Sequence, residues 1–470
     1  MVILLILLLY YPIDSWQNEV LEEIQLRGKY FTEFPSIRPL GALNLSSTHN
    51  EEINSTLLSK LWSTNVSVSG KFDTVKVVRL KPMVNYDFSN FSFYLQPDVK
   101  FGTDSLPPNR VFKNLFSADY ERVWTKFQNQ NFVLFIGRER FAIGPSPRYN
   151  LLLSGYGPPL DWLHYAITAK FIKLSYFLSR LDDMRCKPVE YFGDTITTLI
   201  NARRYLLIKR LDLSPVDWFN CSFSEAATFG GENYELYPYQ LNPLVFLHTF
   251  QHNWDKAANL FFHLDTKIFL HKEAIYGALL VDDFQLEPDP NGEPNHYGFK
   301  IGFESADLFV NNTFFILEYS MLSRWIYAIF TPYQRYEYLN YPIGFPYGPD
   351  CDETYAKWVK HLGKSFDVYF EGALVRKGET ETNTPWPIPE EPRVPETYFP
   401  KENYLSGTVQ QSFHFGGGIR FFKTNYLVID FLAGYSFINN FHHNRNLRKT
   451  NLEFRFKIDV INLSSPRYEK

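Results

Sequence analysis

From about residue 66 onward, apolar and polar residues alternate one by one. In 91–101 the odd positions are Phe91, Phe93, Leu95, Pro97, Val99 and Phe101, and the even ones are Ser92, Tyr94, Gln96, Asp98 and Lys100. Leu163, Tyr165, Ile167, Ala169 and Phe171 alternate with His164, Ala166, Thr168 and Lys170. Near the C-terminus Leu452, Phe454, Phe456, Ile458 and Val460 alternate with Asn451, Glu453, Arg455, Lys457 and Asp459. Successive residues of a strand point to opposite faces, so each run has one greasy face and one wet face. The runs are about ten residues long, the length of a tilted membrane strand. Soluble strands run nearer five or six. Further strands are expected at 73–84, 132–139, 203–211, 258–269, 274–284, 297–304, 313–320, 324–331, 366–377, 407–421 and 426–438. The expected fold is all-β: a transmembrane antiparallel β-barrel of about 16–18 strands with a small N-terminal α-helical segment. The same rhythm also fits a soluble sandwich or propeller, although no internal repeat fixes a propeller.

Residues 229–286 are expected to supply central wall. They contain Y-P-Y-Q-L-N-P at 237–243 and Y-G-A-L-L-V-D-D-F-Q at 276–285. Adjacent carboxylates such as Asp282 and Asp283 suit a wall with a polar lumen better than a dry core. Gly416-Gly417-Gly418 predicts a bulge, a bend or a close approach inside one strand. The proline-rich 378–406 and the turn-rich 332–365 are expected as long loops outside the cell.

The N-terminus follows other rules. Val2–Tyr11 is an apolar run of ten residues, too short to span a membrane as a helix and suited to a signal-peptide core, so 1–15 is expected to be a signal peptide. Helical spacing of Val20, Leu21, Ile24 and Leu26, and of Ile53, Leu57, Leu58 and Leu61, predicts a periplasmic helical hairpin within 16–65, broken at Ile37-Arg38-Pro39. The barrel is then expected over 66–463, with a C-terminal tail at 464–470.

Composition sharpens this picture. Aromatics make up 18 % of 470 residues, as girdles at two membrane interfaces require. A net charge of −4 gives no basic field for nucleic acid. Cys186, Cys221 and Cys351 are far apart, odd in number and without zinc spacing, and unpaired thiols are expected. His248 and His252 sit four apart but lack the following glutamate of a metalloprotease helix. No metal or cofactor is expected. Neighbours on one strand point apart, so Asp282 and Asp283 cannot alone form a glycosidase pair.

Sugar binding needs flat aromatic faces and planar hydrogen-bonding groups. The loop candidates are Tyr341, Phe345, Tyr347, Trp386 and Arg393. Arg138, Arg140 and Arg148, with Asp282, Asp283, Glu304 and Glu318, are expected as a charged network in the lumen, bracing a plug or the wall.

The run G-R-E-R-F-A-I-G-P-S-P-R-Y-N-L-L-L-S-G at 137–155 resembles the Wzi family of capsule assembly proteins, in Gly137-Arg138, Gly144-Pro145 and Leu152-Leu153-Ser154. Ile143 stands where that family usually has an aromatic residue. The 237–243 and 276–285 stretches and Arg38-Pro39 are similar to divergent members. The resemblance implies an outer-membrane barrel of about eighteen strands, a periplasmic helical bundle and a mouth closed by loops. It implies a non-enzymatic role, binding surface polysaccharide and tethering capsule. The expected partners are that polysaccharide, outer-membrane lipid including lipopolysaccharide, whose phosphates suit the basic tip at His442-His443, Arg445, Arg448 and Lys449, and the barrel-assembly machinery, with the protein expected as a monomer. Ser464–Lys470 after the last strand depart from the usual aromatic barrel ending. A porin-like channel and a secreted glycan hydrolase are the competing readings.

Overall fold

The computed structural model describes residues 19, 22–23, 25–27, 37–38, 64–72, 76–88, 90–102, 112, 116–187, 199–249, 258–283, 295–329, 331–384, 404–423 and 427–461. The signal peptide, the second helix of the hairpin, Trp386, Arg393, His252 and the C-terminal tail lie outside these residues.

Eighteen strands among the described residues close on themselves. They are β1 (Thr64–Phe72), β2 (Lys76–Pro82, resuming after Met83 as Val84–Phe88), β3 (Phe91–Phe101), β4 (Ser117–Gln128), β5 (Phe132–Glu139) and β6 (Leu160–Ala169). Next come β7 (Ile172–Arg180), β8 (Ile200–Val216), β9 (Phe219–Glu232), β10 (Ala258–Leu270), β11 (Glu273–Asp283) and β12 (His296–Ala306). The last six are β13 (Thr313–Leu322), β14 (Cys351–Leu362), β15 (Phe366–Lys377), β16 (Gln410–Lys423), β17 (Leu427–Asn439) and β18 (Arg448–Ile461). Every strand pairs antiparallel with its chain neighbour, and β18 returns to β1 from Thr64↔Ile461 to Phe72↔Phe454. Short turns such as Lys170–Phe171, Asp217–Trp218 and His271–Lys272 share one end with both chain termini of the wall. The long connections share the other end.

The alternation dictates this shape. Phe91, Phe93, Leu95 and Phe101 are exposed on the outer face, whereas Tyr94, Gln96, Asp98 and Lys100 are buried inside. Leu452 and Phe454 point outward and Asp459 inward. Rows of large exposed apolar side chains around a closed antiparallel barrel suit a wall that faces lipid.

Several expected strands are corrected. Among the described residues of 324–331 there is no strand; Trp325, Ile326, Tyr327 and Ala328 are buried in a turn-rich loop. Residues 332–365 are not one loop, because Cys351–Leu362 is wall. Residues 237–243 are not wall but a single 3-10 turn at Pro238–Leu241 within a connection. The glycine run holds an unbroken register, without a bulge. Its glycines admit neighbours instead: a Cβ on Gly418 would overlap the Tyr369 ring, and one on Gly416 would crowd Leu432. Likewise Tyr276 lies across Gly302, where any Cβ would strike its ring.

The lumen is filled from both ends. At the turn end, Glu19, Glu22, Glu23, Gln25, Leu26 and Arg27 are helical and lie inside the wall. Arg27 grips Asp307 through two nitrogens at 2.6 and 2.9 Å and donates to the Thr313 carbonyl at 3.0 Å. Lys267 joins Glu22 at 3.1 Å to Glu304 at 3.0 Å. His361 stands between Glu23 and Asp367, at 2.6 Å from each. Lys357 pairs with Glu19. Leu26, one of the apolar positions that predicted the helix, packs against wall residues such as Phe269 and Phe314, and the charged residues around it pair with the charged wall. Further up, Ile37–Arg38 pairs antiparallel with Ala142–Ile143, so the N-terminal segment crosses the lumen to meet a loop from the far end.

Candidate functional site at the loop end

Two connections, 140–159 and 323–350, fold down into the barrel and interlock. The first turns sharply because Gly144 takes a φ of 137° and Asn150 closes the turn. The Asn150 side chain accepts from the Ser146 amide at 2.9 Å and donates to the Ser146 carbonyl at 3.0 Å. A Cβ at Gly144 would overlap Asn150. This explains the Gly-Pro-Ser-Pro run physically: only glycine tolerates that backbone so close to another side chain. The turn is then pinned to the opposite wall. Ser146 donates to Glu318, which also accepts from Tyr276 at 2.7 Å and Lys300 at 3.0 Å. Arg148 pairs with Glu353 at 2.6 Å and lies over the Tyr355 and Tyr149 rings, 3.7 and 4.4 Å from their centres. Burial opposes the Arg148 charge, but Glu353 outweighs it and keeps the guanidinium protonated.

The leucines after this turn meet the second loop. Tyr327 donates its hydroxyl to the Leu151 carbonyl, and Tyr336 donates to Leu152 at 2.8 Å. The Ser154 amide donates to Ile343 at 3.1 Å. Asp282 accepts from the Tyr327 amide at 2.9 Å. Ile143, Leu151, Leu152, Tyr327, Tyr336 and Phe345 are all fully buried in one cluster. A dry core therefore sits inside the barrel mouth, where these loop residues pack against inward wall residues such as Trp124, Phe177, Ile208, Phe261 and Leu280. Burial raises the hydroxyl pKa of Tyr336 far above its ordinary value, so it stays a neutral donor.

Above this core lies a small, shallow surface depression between the two loops and the ends of β5 and β6. Tyr338, Tyr341 and Pro342 form one side, Gly155, Gly157 and Pro158 the other, and Trp162 and Phe141 the floor. Arg140 stands at its edge, bound to Glu121 at 2.7 Å and to the carbonyls of Tyr156 at 3.1 Å and Gly157. Tyr156 is exposed beside it, edge-on to Tyr149. Aromatic faces and a guanidinium held by Glu121 and two loop carbonyls form, on a rigid base, a surface on which a sugar ring can stack and be hydrogen-bonded.

The expected binding residues divide. Tyr341 lies in the cleft and Tyr347 is half-buried against Phe345. Phe345 itself is fully buried and packs the mouth core, so it offers no face to a ligand. Tyr338, Tyr156 and Trp162 were missed; Tyr156, flanked by Gly155 and Gly157, carried the one available signal, an aromatic held out by two glycines. The expected charged network also divides. Arg140, Arg148, Glu304, Glu318 and Asp282 face inward, but in separate clusters. Arg138 does not: it shares the outer face with Ile136, between Asp161 at 2.7 Å and Asp119 at 3.3 Å, whose side chains are 58 and 51 % exposed. Glu139, the next residue along the strand, points inward instead. Asp283 pairs with His296 after a register shift at the strand end.

No curated protein matches the sequence. Among solved structures, Escherichia coli Wzi, an outer-membrane protein involved in group 1 capsule assembly and a carbohydrate-binding β-barrel, is similar at a TM-score of 0.67 and 13 % identity, over 97 % of this chain and 99 % of that one. Pseudomonas aeruginosa OprD reaches a TM-score of 0.44 at 8 % identity, over 84 % of this chain and 92 % of that one. The family model for "Capsule assembly protein Wzi" matches residues 64–422. An outer-membrane barrel keeps its short turns in the periplasm and its long loops outside, which puts the cleft at the cell surface and the docked helix on the periplasmic side. With the family match running through most of the wall, this outer-membrane chain belongs to the Wzi family of capsule assembly proteins.

Proposed function

We propose that the protein holds capsular or related polysaccharide at the cell surface, without enzymatic turnover, and that the cleft around Tyr338, Tyr341, Tyr156 and Arg140 is where the glycan lies. The observation that carries this is the cleft itself, a surface of aromatic rings and a guanidinium built on interlocked, fully buried loops. A rigid base lowers the ordering cost of binding. The carbohydrate-binding character of the E. coli relative agrees with it. The channel reading is weaker, because loops from the outside and a helix from the periplasmic side both occupy the lumen.

The test is retention of purified capsular polysaccharide by the detergent-solubilised protein. Tyr341→Ala removes one stacking face, worth about 0.5–1.5 kcal/mol, or roughly 2- to 12-fold in affinity. Tyr156→Ala is expected to act similarly, and Tyr347→Ala much less. Equal binding by Tyr341→Ala, Tyr156→Ala and the unaltered protein would remove the cleft from the proposal.

A further inference from the structure

One sector of the outer wall carries groups that lipid cannot accept. Lys209 on β8 and Glu225 on β9 face each other directly in register. Both lie on the outer face, in step with the exposed Leu211 and Phe223. Tyr176 and Tyr165, on the neighbouring β7 and β6, continue the same outward row. Yet Lys209, Glu225 and Tyr176 are buried. What covers them is the connection after β9, which leaves the loop end and folds back down over the outside of the wall.

The covering segment and the wall satisfy one another. Glu225 accepts the amides of Leu247 at 2.7 Å and His248 at 2.9 Å, one with each oxygen. Lys209 donates to the Val245 carbonyl. Tyr176 donates to the Gln240 carbonyl at 3.2 Å, and Tyr165 to that of Leu241 at 2.7 Å. Within the segment, Gln240 accepts from the Tyr237 amide at 3.0 Å and Asn242 from the Leu244 amide at 3.0 Å. Leu247 is fully buried against Leu207, Ala227 and Leu260 on the wall. The outward side is different: Tyr237, Tyr239, Leu241, Leu244 and Phe246 are exposed, Leu244 at 76 %. No residue from 236 to 247 is charged.

We propose that residues 236–249 form a strap embedded in the outer leaflet, anchored by Lys209 and Glu225 and presenting Leu244 and Phe246 to lipid acyl chains. Irregular backbone is excluded from hydrocarbon unless its polar groups are met by protein, and here the outer wall supplies the partners. The occupant is lipid rather than protein because the strap's anchors Lys209 and Glu225 lie one outward position from the lipid-facing Leu211, Phe223 and Leu264. The tyrosines at its upper end suit the aromatic girdle at the membrane interface. This contact is independent of the glycan cleft on the mouth.

The test is a nitroxide at Leu244→Cys in the full chain, in a Cys221→Ser background, reconstituted into phospholipid vesicles. Its collision rates with dissolved oxygen and with a water-soluble nickel chelate are measured. Leu264→Cys on bare wall and Asn444→Cys on a loop tip are the references. The oxygen-to-nickel ratio at Leu244 is expected to match Leu264 within about twofold and to exceed Asn444 several-fold. A ratio equal to that of Asn444 would overturn the proposal by showing the strap in water. Low collision with both agents, or dipolar broadening between copies, would overturn it in favour of a protein partner. Phe246→Cys repeats the measurement at a second exposed position.

Discussion

At the scale of single residues, the lumen depends on charges that have left water together. Glu318 shows how closely they are matched: its two oxygens serve Lys300, Tyr276 and Ser146, and all four residues are buried. Removing one member of such a set leaves another charge buried and uncompensated, which costs about 3–5 kcal/mol. Glu318→Gln is therefore expected to lower the temperature at which the folded band disappears on a semi-native gel. Glu381 pairs with Lys377 at 3.6 Å, but its side chain is 55 % exposed. Glu381→Gln is expected to change stability by less than about 1 kcal/mol. Similar losses from both variants would show that the lumen around Glu318 is wet rather than sealed. The same reasoning separates the two faces of β18. Asp459 is buried inward, whereas Phe456 lies among lipid-facing neighbours Phe454 and Ile458. Phe456→Asp places a charge in hydrocarbon and is expected to reduce folded barrel in the outer membrane more than Asp459→Leu does.

At the scale of elements, legibility followed periodicity. β3, β6 and β18 could be read because their outer faces meet only lipid and their inner faces meet charge, so the alternation is clean. β9 could not: F-N-C-S-F-S-E-A-A-T-F-G-G-E puts Glu225 outward and Ala226 inward, because a strap covers one face and packed loops cover the other. Residues 324–331 misled for the opposite reason. Burial on all sides yields an unbroken apolar run, which a strand pattern cannot distinguish from a wall segment. Phe345 looked like a loop aromatic for the same reason, since nothing in the sequence tells a loop that hangs free from one that folds inward. The N-terminal helix was legible as a helix, but its docking through Arg27 was not, because Asp307 is 280 residues away. That contact is pH-sensitive. Burial pushes the Asp307 carboxyl up, but hydrogen bonds from Arg27 and Lys272 outweigh this and hold its pKa below the ordinary range. A depressed carboxylate stabilises the folded state above the unfolded pKa, near 3.9, and loses that contribution as pH falls toward the folded value. Protection of the helix from protease should therefore weaken as pH drops below about 4. Asp307→Asn should show weaker protection at neutral pH and less change on acidification.

At the scale of the whole molecule, two seals stand in series. The loops close the outer end through Tyr327, Tyr336 and the leucines they bind, and the helix closes the periplasmic end through Arg27, Lys267 and His361. They share no residue among these anchors, although Ile37–Arg38 ties the N-terminal segment to Ala142–Ile143 of the outer loop. Ions crossing the barrel must pass both. The unaltered protein is accordingly expected to carry no steady large current in a planar bilayer. Tyr327→Ala with Tyr336→Ala removes two donors and two rings from the outer core, yet should raise conductance little by itself. Arg27→Ala with Lys267→Ala should behave the same way at the other end. Only the four substitutions together are expected to open a continuous path, with a conductance well above the sum of the two pairs. Large currents from the unaltered protein would favour a channel over a tether. Large currents from one pair alone would show that its end holds the sole barrier.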